Sequence, residues 1–275
     1  MSVWQSSFDA EPAERANLSE DAAHKMRIAL AFAMFAPFAE YTKNTVLNYS
    51  FFGIETVIAL VLMFFGIILT ATSKFSRYGI ALFSVGFGSI VLGVWPAMAN
   101  HNWLALWCIP LAVVFARWWE EDLYSDYLRV TLAIVMLAAA SQKILAGTYF
   151  DGSYVAFLSH YGSTTENMFH ALCSKETLNN PCFLHKAIGS FIVFWQIAVG
   201  ILLLIGLRSL IFLAIEIGFL LAAGVFADEM NFQALNIALL CIAFRVGLSY
   251  ILGAILTFFI VIDLIKIGGI IEAVF

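Results

Sequence analysis

Nine apolar runs, separated by short polar or basic breaks, organise the chain: residues 24–42, 51–72, 78–97, 102–118, 126–146, 184–206, 209–227, 231–246 and 249–271. A hydrocarbon layer about 30 Å thick is crossed by roughly 20 apolar helical residues, because backbone polar groups in lipid must pair within the segment. The pattern predicts an all-α, polytopic integral membrane helical bundle of about nine transmembrane helices. The runs at 102–118 and 231–246 are short and the run at 24–42 contains Pro37, so eight spans is the competing count. Residues 1–22 read as a polar N-terminal tail and 23–275 as a single transmembrane domain.

Composition agrees with the pattern. Of 275 residues, 62% are hydrophobic and 12% charged, against roughly 25% charged in an average soluble domain. No basic run points to nucleic acid, and the acidic first 17 residues lack the basic and apolar regions of a signal peptide.

Charge then orients the spans. With a cytoplasmic N-terminus, the inner side collects Arg15, Lys25, Arg27, Lys74, Arg77, Arg117, Arg129, Arg208 and Arg245, and the outer side Lys43, Lys175 and Lys186. This bias predicts N-terminus in and C-terminus out, in a membrane read as the bacterial inner membrane.

The connection at 147–183 is the longest, and loops beyond about 12–15 residues are usually functional or disordered. Its aromatic content, including Tyr149, Phe150, Tyr154, Phe157, Tyr161 and Phe169, reads as a lid or interfacial segment on the outer face, with short helices at Val155–Leu158 and Asn167–Leu172. An anchoring aromatic belt is the simpler alternative. Cys173 and Cys182 lie in this loop, and their extracytoplasmic placement predicts a disulfide. No Cys-x-x-Cys or clustered histidine accompanies them, so no metal is expected. Cys108 and Cys241 fall inside spans and read as small apolar fillers.

Ionisable residues within spans are expensive and face a cavity or a partner. Lys143 lies 16 residues after Tyr127, roughly 24 Å along its helix, at the outer boundary. Gln142 precedes it and Asp151 follows beyond the helix end. A snorkelling lysine and a functional one fit this placement equally. Glu216 sits mid-span, where a buried hydrogen bond is the plain account, with Gln196 or a residue of the ninth span as its partner. Asp263 and Lys266, three apart, read as an ion pair on one helix face. Glu40, Tyr41, Glu55, Asp228 and Glu229 gather at the outer boundary. His160, His170 and His185 belong to the outer loop or its edge, where one facing the lysine would serve as acid or base. Their spacing fits no metal template, and His24 and His101 have no constellation around them.

Lys143, the aromatic Tyr149 six residues on and Gly152 nine residues on resemble a motif of the horizontally transferred transmembrane domain family, the membrane domain shared with vitamin K-dependent gamma-carboxylase. The small residues Ala138–Ser141 and Ser153 are similar as well. The resemblance implies a multi-helix domain whose outward-facing lysine is a base in quinone-linked chemistry, a role that falls on Lys143. It implies Tyr149 as a wall or hydroxyl donor and Gly152 as the point where the backbone turns close to the substrate. The chain departs from the family at Tyr149, where Trp is commoner, at Gln196, where an acid is expected, and in the seventh span, which has no histidine. It also ends with its last helix, so a protein-glutamate substrate fits poorly and a quinone or lipid fits better.

Three functions are compatible with these residues, the first of them being what the resemblance implies. The first is an enzyme acting on a quinone or lipid-like substrate at the extracytoplasmic face, with Lys143, Asp151 and His160 as catalytic candidates. Gln142, Tyr149, Gly152, Glu55, Gln196 and Glu216 are its substrate-binding candidates. The second is a non-catalytic, DoxX-like subunit of an electron-transfer or other membrane complex, in which Lys143 pairs with Asp151 or Glu55 in a closed bundle. The third is a transporter, whose polar path would have only Glu216 and the Asp263–Lys266 pair. No haem, nucleotide or metal motif suggests an intrinsic cofactor, and membrane lipids, a quinone and membrane protein partners are the expected contacts.

Overall fold

The structure, a computed structural model, describes residues 12–47 (side chains over 23–45), 53–72, 74–94, 100–115, 123–161 (side chains to 159), 169, 172–173, 180–227, 229–246 and 253. The expected ninth span, the Asp263–Lys266 pair, His170, Asp228 and the side chain of His160 lie outside the described residues, as does most of the second short helix expected in the loop.

The described residues are all-helical, without a strand. Ten helices follow in order: α1 Pro12–Leu47, α2 Ile54–Ala71, α3 Ser76–Val94, α4 Asn100–Cys108, α5 Ala112–Phe115, α6 Leu123–Ala146, α7 Ser153–Tyr161, α8 Phe183–Leu204, α9 Leu210–Ala227 and α10 Met230–Phe244. Five of them, α2, α3, α6, α8 and α9, are long and apolar enough to cross a membrane. Their outward faces carry large apolar side chains, among them Phe64, Leu92, Ile134, Phe194 and Ile211, as contact with lipid requires. These are the properties of an integral membrane protein.

The sequence pattern and the structure differ at the weaker runs. The run at 102–118 is not one helix but α4 and α5, parted at Pro110. Proline has no N–H to donate and its ring disfavours the helical conformation of the residue before it. The Cys108 carbonyl at the break accepts the Tyr124 hydroxyl at 3.0 Å. Conversely, Pro37 does not interrupt α1, which runs for 36 residues. Helix α10 stops at 15 residues, where Arg245 takes a left-handed φ of 56°. There the Arg245 and Val246 N–H groups return to the carbonyls of Ile242 and Cys241, the hydrogen-bond pattern of a Schellman cap.

The chain divides into two compact units, Met1–Asp126 with Ala234–Phe275, and Tyr127–Gln233. In the first, α2 and α3 form an antiparallel hairpin packed through small residues. The buried face of α2 is Ala59, Met63, Gly66 and Thr70, a spacing that keeps one side of a helix. A Cβ added at Gly79 would lie 2.4 Å from the Thr70 backbone nitrogen, and one at Gly86 would lie 2.5 Å from the Ala59 carbonyl oxygen. Backbone approach of this kind gives lipid-embedded helices their packing energy, since apolar side chains gain nothing over lipid. In the same unit His101, which had no constellation in the sequence, contacts Glu40 at 2.5 Å, and Arg245 Nε donates to Ser125 Oγ at 3.2 Å. Cys108 and Cys241 are free and buried.

In the second unit, α8 ends in the same hydrogen-bond pattern as α10, with Gly206 at φ 82° and Gly206 and Leu207 donating to Leu203 and Leu202. Arg129 of α6 completes this cap by donating to the Leu203 and Leu204 carbonyls. A cation is well placed at the negative end of a helix dipole.

Candidate functional site

The stretch from Lys143 to Gly152 is built by two glycines. Helix α6 carries Lys143 in its last turn and ends when Gly147 adopts φ 72° and returns its N–H to the Lys143 carbonyl at 3.1 Å. A side-chain-bearing residue would resist that left-handed conformation. A tight turn follows, in which Phe150 donates to the Gly147 carbonyl at 3.0 Å. Gly152, at φ 81°, then starts α7 by accepting the Ala156 N–H at 2.9 Å.

This turn lies backbone against backbone on α8. A Cβ at Gly152 would come within 2.9 Å of the Lys186 nitrogen, and one at Gly189 within 2.0 Å of the Tyr149 carbonyl oxygen. Glycine at both contacts lets the chain pass directly over the first turns of α8. Tyr149 is thereby held with its ring under the Lys143 ammonium, Nζ lying 5.2 Å from the ring centroid, within the range of a cation–π contact. The other side of the contact is set by Tyr154, whose ring stacks on Tyr149 at 4.6 Å between centroids. Burial first, then the neighbouring Tyr154 and the carboxylate of Glu229, push the Tyr149 phenol above its ordinary range, so it stays a hydroxyl at any physiological pH. Among the described residues, no carboxylate lies within salt-bridge distance of Lys143, and the carboxylate acting on it electrostatically is that of Glu229.

Asp151 is engaged elsewhere. Its Oδ1 accepts the Ser153 N–H at 2.8 Å, the hydrogen bond by which an aspartate closes a turn on the residue two ahead. The Ser153 hydrogen bonds, with Lys186 nearby, hold this exposed carboxyl below its ordinary value. The bond is therefore at full strength above the ordinary pKa of 3.8 and is lost as pH falls through the depressed one. Hydrogen exchange at the Ser153 amide should lose protection only in that acid range, and Asp151→Asn, whose carbonyl oxygen accepts at every pH, should keep it. Loss of protection at neutral pH in the wild type would refute this account of the turn.

The other candidates scatter. Gln142 is exposed on the outer face of α6. Glu55 is exposed in the first turn of α2, in the other unit. Glu216 is fully buried in α9 and finds its partner in Trp195, whose Nε1 donates to Oε2 at 2.7 Å. The expected partner Gln196 is the next residue of α8. Glu216 Oε1 and Gln196 Oε1 are both buried without a hydrogen-bond partner among the described residues. His160 lies in the last turn of α7.

A second cluster sits beyond the turn. Cys173 and Cys182 form a disulfide with Cα atoms 6.1 Å apart. His185 is fully buried beside it, although its sequence position suggested only the edge of the outer loop. Cys182 is the N-cap of α8, and its N–H donates to His185 Nδ1 at 3.2 Å. The imidazole stacks on Phe169, 4.7 Å between centroids, and Nε2 lies 3.4 Å from Ser159 Oγ. Val155 and Phe169 are completely buried around the bridge, and Phe226 of α9 packs against them. The pairing of Cys182 with His185 was open to sequence reasoning, because the first and fourth positions of a helix start face each other. The approach of Ser159 and Phe169 was not.

No family model, curated protein or solved structure matches the chain.

Proposed function

We propose that the protein is a membrane enzyme acting on a quinone or lipid-like substrate at the extracytoplasmic face, with Lys143 as its base. The reading includes nine spans with the N-terminus inside, in a bacterial inner membrane, as the charge distribution of the loops favours. The observation that carries it is Lys143 itself. The amine stands at the end of a membrane-spanning helix, over the Tyr149 ring at 5.2 Å, with no salt bridge to a carboxylate among the described residues.

A lysine acts as a base only when it is neutral, which a dry, weakly polar surrounding favours. The neutral amine would take a proton from a substrate hydroxyl, and the Tyr149 hydroxyl, kept protonated, would donate a hydrogen bond to a substrate oxygen. An aromatic wall suits a planar or isoprenoid ligand. The non-catalytic alternative calls for an ion pair from Lys143 to Asp151 or Glu55. Asp151 is committed to the Ser153 turn instead.

Full-length protein purified in mild detergent from its native membrane should retain a quinone or isoprenoid lipid, quantified by solvent extraction and mass spectrometry. Lys143→Met, which keeps the length of the side chain, should lower the retained amount about tenfold at unchanged expression, equivalent to about 1.4 kcal/mol. Equal retention by wild type and variant would sink the proposal. A stoichiometric protein partner without any bound quinone would favour the subunit reading.

A further inference from the structure

The disulfide cluster contains one residue more than a structural cross-link needs. Cys173 Sγ, Cys182 Sγ and a ring nitrogen of His185 all lie within 4.8 Å of one another. Two sulfurs and an imidazole form the donor set that selects Zn²⁺ among common divalent ions. In a tetrahedral zinc site with bonds of about 2.3 Å to sulfur and 2.0–2.1 Å to nitrogen, donor atoms stand roughly 3.5–3.8 Å apart. The three donors are close enough to share one ion once the S–S bond is opened and the sulfurs part, with His185 Nδ1 giving up the Cys182 N–H if it is the nitrogen that binds.

The surroundings are those of a held ligand set. Cys182 and His185 are the N-cap and third residue of α8, so helix geometry fixes two of the three donors relative to each other. His185 presents Nδ1 towards the Cys182 end, where it accepts the Cys182 N–H at 3.2 Å, and Nε2 towards Ser159 Oγ at 3.4 Å. A metal-bound imidazole characteristically uses one nitrogen for the ion and the other for an oxygen partner that fixes the ring, and this ring is already divided in that way. Stacking on Phe169 at 4.7 Å prevents it from swinging. Cys173 and His185 are buried, which favours a neutral complex of two thiolates and a dication over separate charges.

We propose that Cys173, Cys182 and His185 form a redox-gated zinc site, in which the disulfide and the bound ion are alternative states of one buried cluster. A dithiol reductant transfers two electrons to the S–S bond and is itself oxidised to its disulfide, leaving two protein thiols. Zn²⁺ then binds both sulfurs with loss of two protons to solvent, and His185 is the third protein ligand. The set has one position left for water or a small anion, as in sites where zinc keeps an open coordination place. The cluster also ties residue 173 to the start of α8, the helix on whose first turns the Tyr149 turn lies. A change of cross-link from disulfide to zinc therefore keeps α8 and the loop joined in both redox states.

The test uses the full chain in detergent, with Cys108→Ala and Cys241→Ala introduced so that only the cluster thiols remain. After reduction by a non-thiol phosphine, addition of Zn²⁺ and desalting, metal analysis should find about one ion per chain, and the oxidised protein should hold none. Cobalt in place of zinc should produce a thiolate-to-metal charge-transfer absorption band. Cys173→Ser and His185→Gln should each weaken binding by at least about tenfold, as loss of a ligand or its supporting partner does. Helicity by circular dichroism checks that each sample is folded. Absence of zinc from the reduced chain, whether folded or not, would overturn the proposal. Equal uptake by the oxidised protein or by the Cys173→Ser, Cys182→Ser double variant would overturn it too.

Discussion

Gly189→Ala is expected to destabilise the protein by about 3 kcal/mol, the upper part of the range for forcing one methyl into a packed contact. The added Cβ would stand 2.0 Å from the Tyr149 carbonyl oxygen, with the Tyr149 carbonyl carbon at 2.9 Å. Both are backbone atoms, so no flexible side-chain end can yield. The turn from Gly147 to Gly152 would have to lift from α8, carrying the Tyr149 ring away from Lys143. Detergent-induced unfolding followed by circular dichroism should show the loss. Gly218→Ala, in α9 with nothing within 4 Å of its added Cβ, is the control and should be neutral or slightly stabilising, since alanine is the better helix former. If the two substitutions behave alike, the close approach of the turn to α8 is wrong. Should Lys143 act with Tyr149, Gly189→Ala would also release the bound ligand although no proposed site residue has been substituted.

The second large effect is expected at the α2–α3 hairpin. Gly79→Ala and Gly86→Ala should each cost about 2 kcal/mol, because their Cβ atoms would meet the Thr70 nitrogen at 2.4 Å and the Ala59 carbonyl oxygen at 2.5 Å. The two sites are seven residues apart on one face of α3 and share one interface. Once either methyl has pushed the helices apart, the other meets a gap already opened, so the double variant should lose less than the sum. Strict additivity in the same unfolding assay would mean that the helices do not separate as a unit. Gly88→Ala, with no neighbour within 4 Å of its added Cβ, should leave the hairpin intact.

Much of the site could be read along the chain because the informative interactions there are local. Lys143 at a span end and a cysteine pair in the longest loop follow from residue type and spacing, and a backbone turn at Gly152 was what the family resemblance implied. The turn bond from Ser153 to Asp151 spans two residues. Other parts were hidden because their partners are distant in sequence. Glu40 meets His101 at 61 residues' separation, and Glu216 meets Trp195 at 21, one position away from the glutamine of similar depth. A hydropathy window also cannot weigh one proline against another. Pro110 divides its apolar run into two helices, whereas Pro37 lies within α1, whose inner positions Leu30, Ala33 and Met34 are completely buried.

Residue composition and periodicity by themselves determined that this is an all-helical protein with helices fit to cross a membrane and that Lys143 ends one of them, while the charge pattern of the loops led to the expectation that Cys173 and Cys182 pair, as they do. These properties depend on transfer of side chains into lipid and on short-range geometry, both of which act residue by residue. The tertiary structure decided what surrounds them: Tyr149 under the ammonium, Trp195 on Glu216, and His185 buried against the disulfide. Each of these depends on which faces of separate helices meet. That choice is set here by glycines that let backbones touch, an interaction whose partner is not written at the glycine.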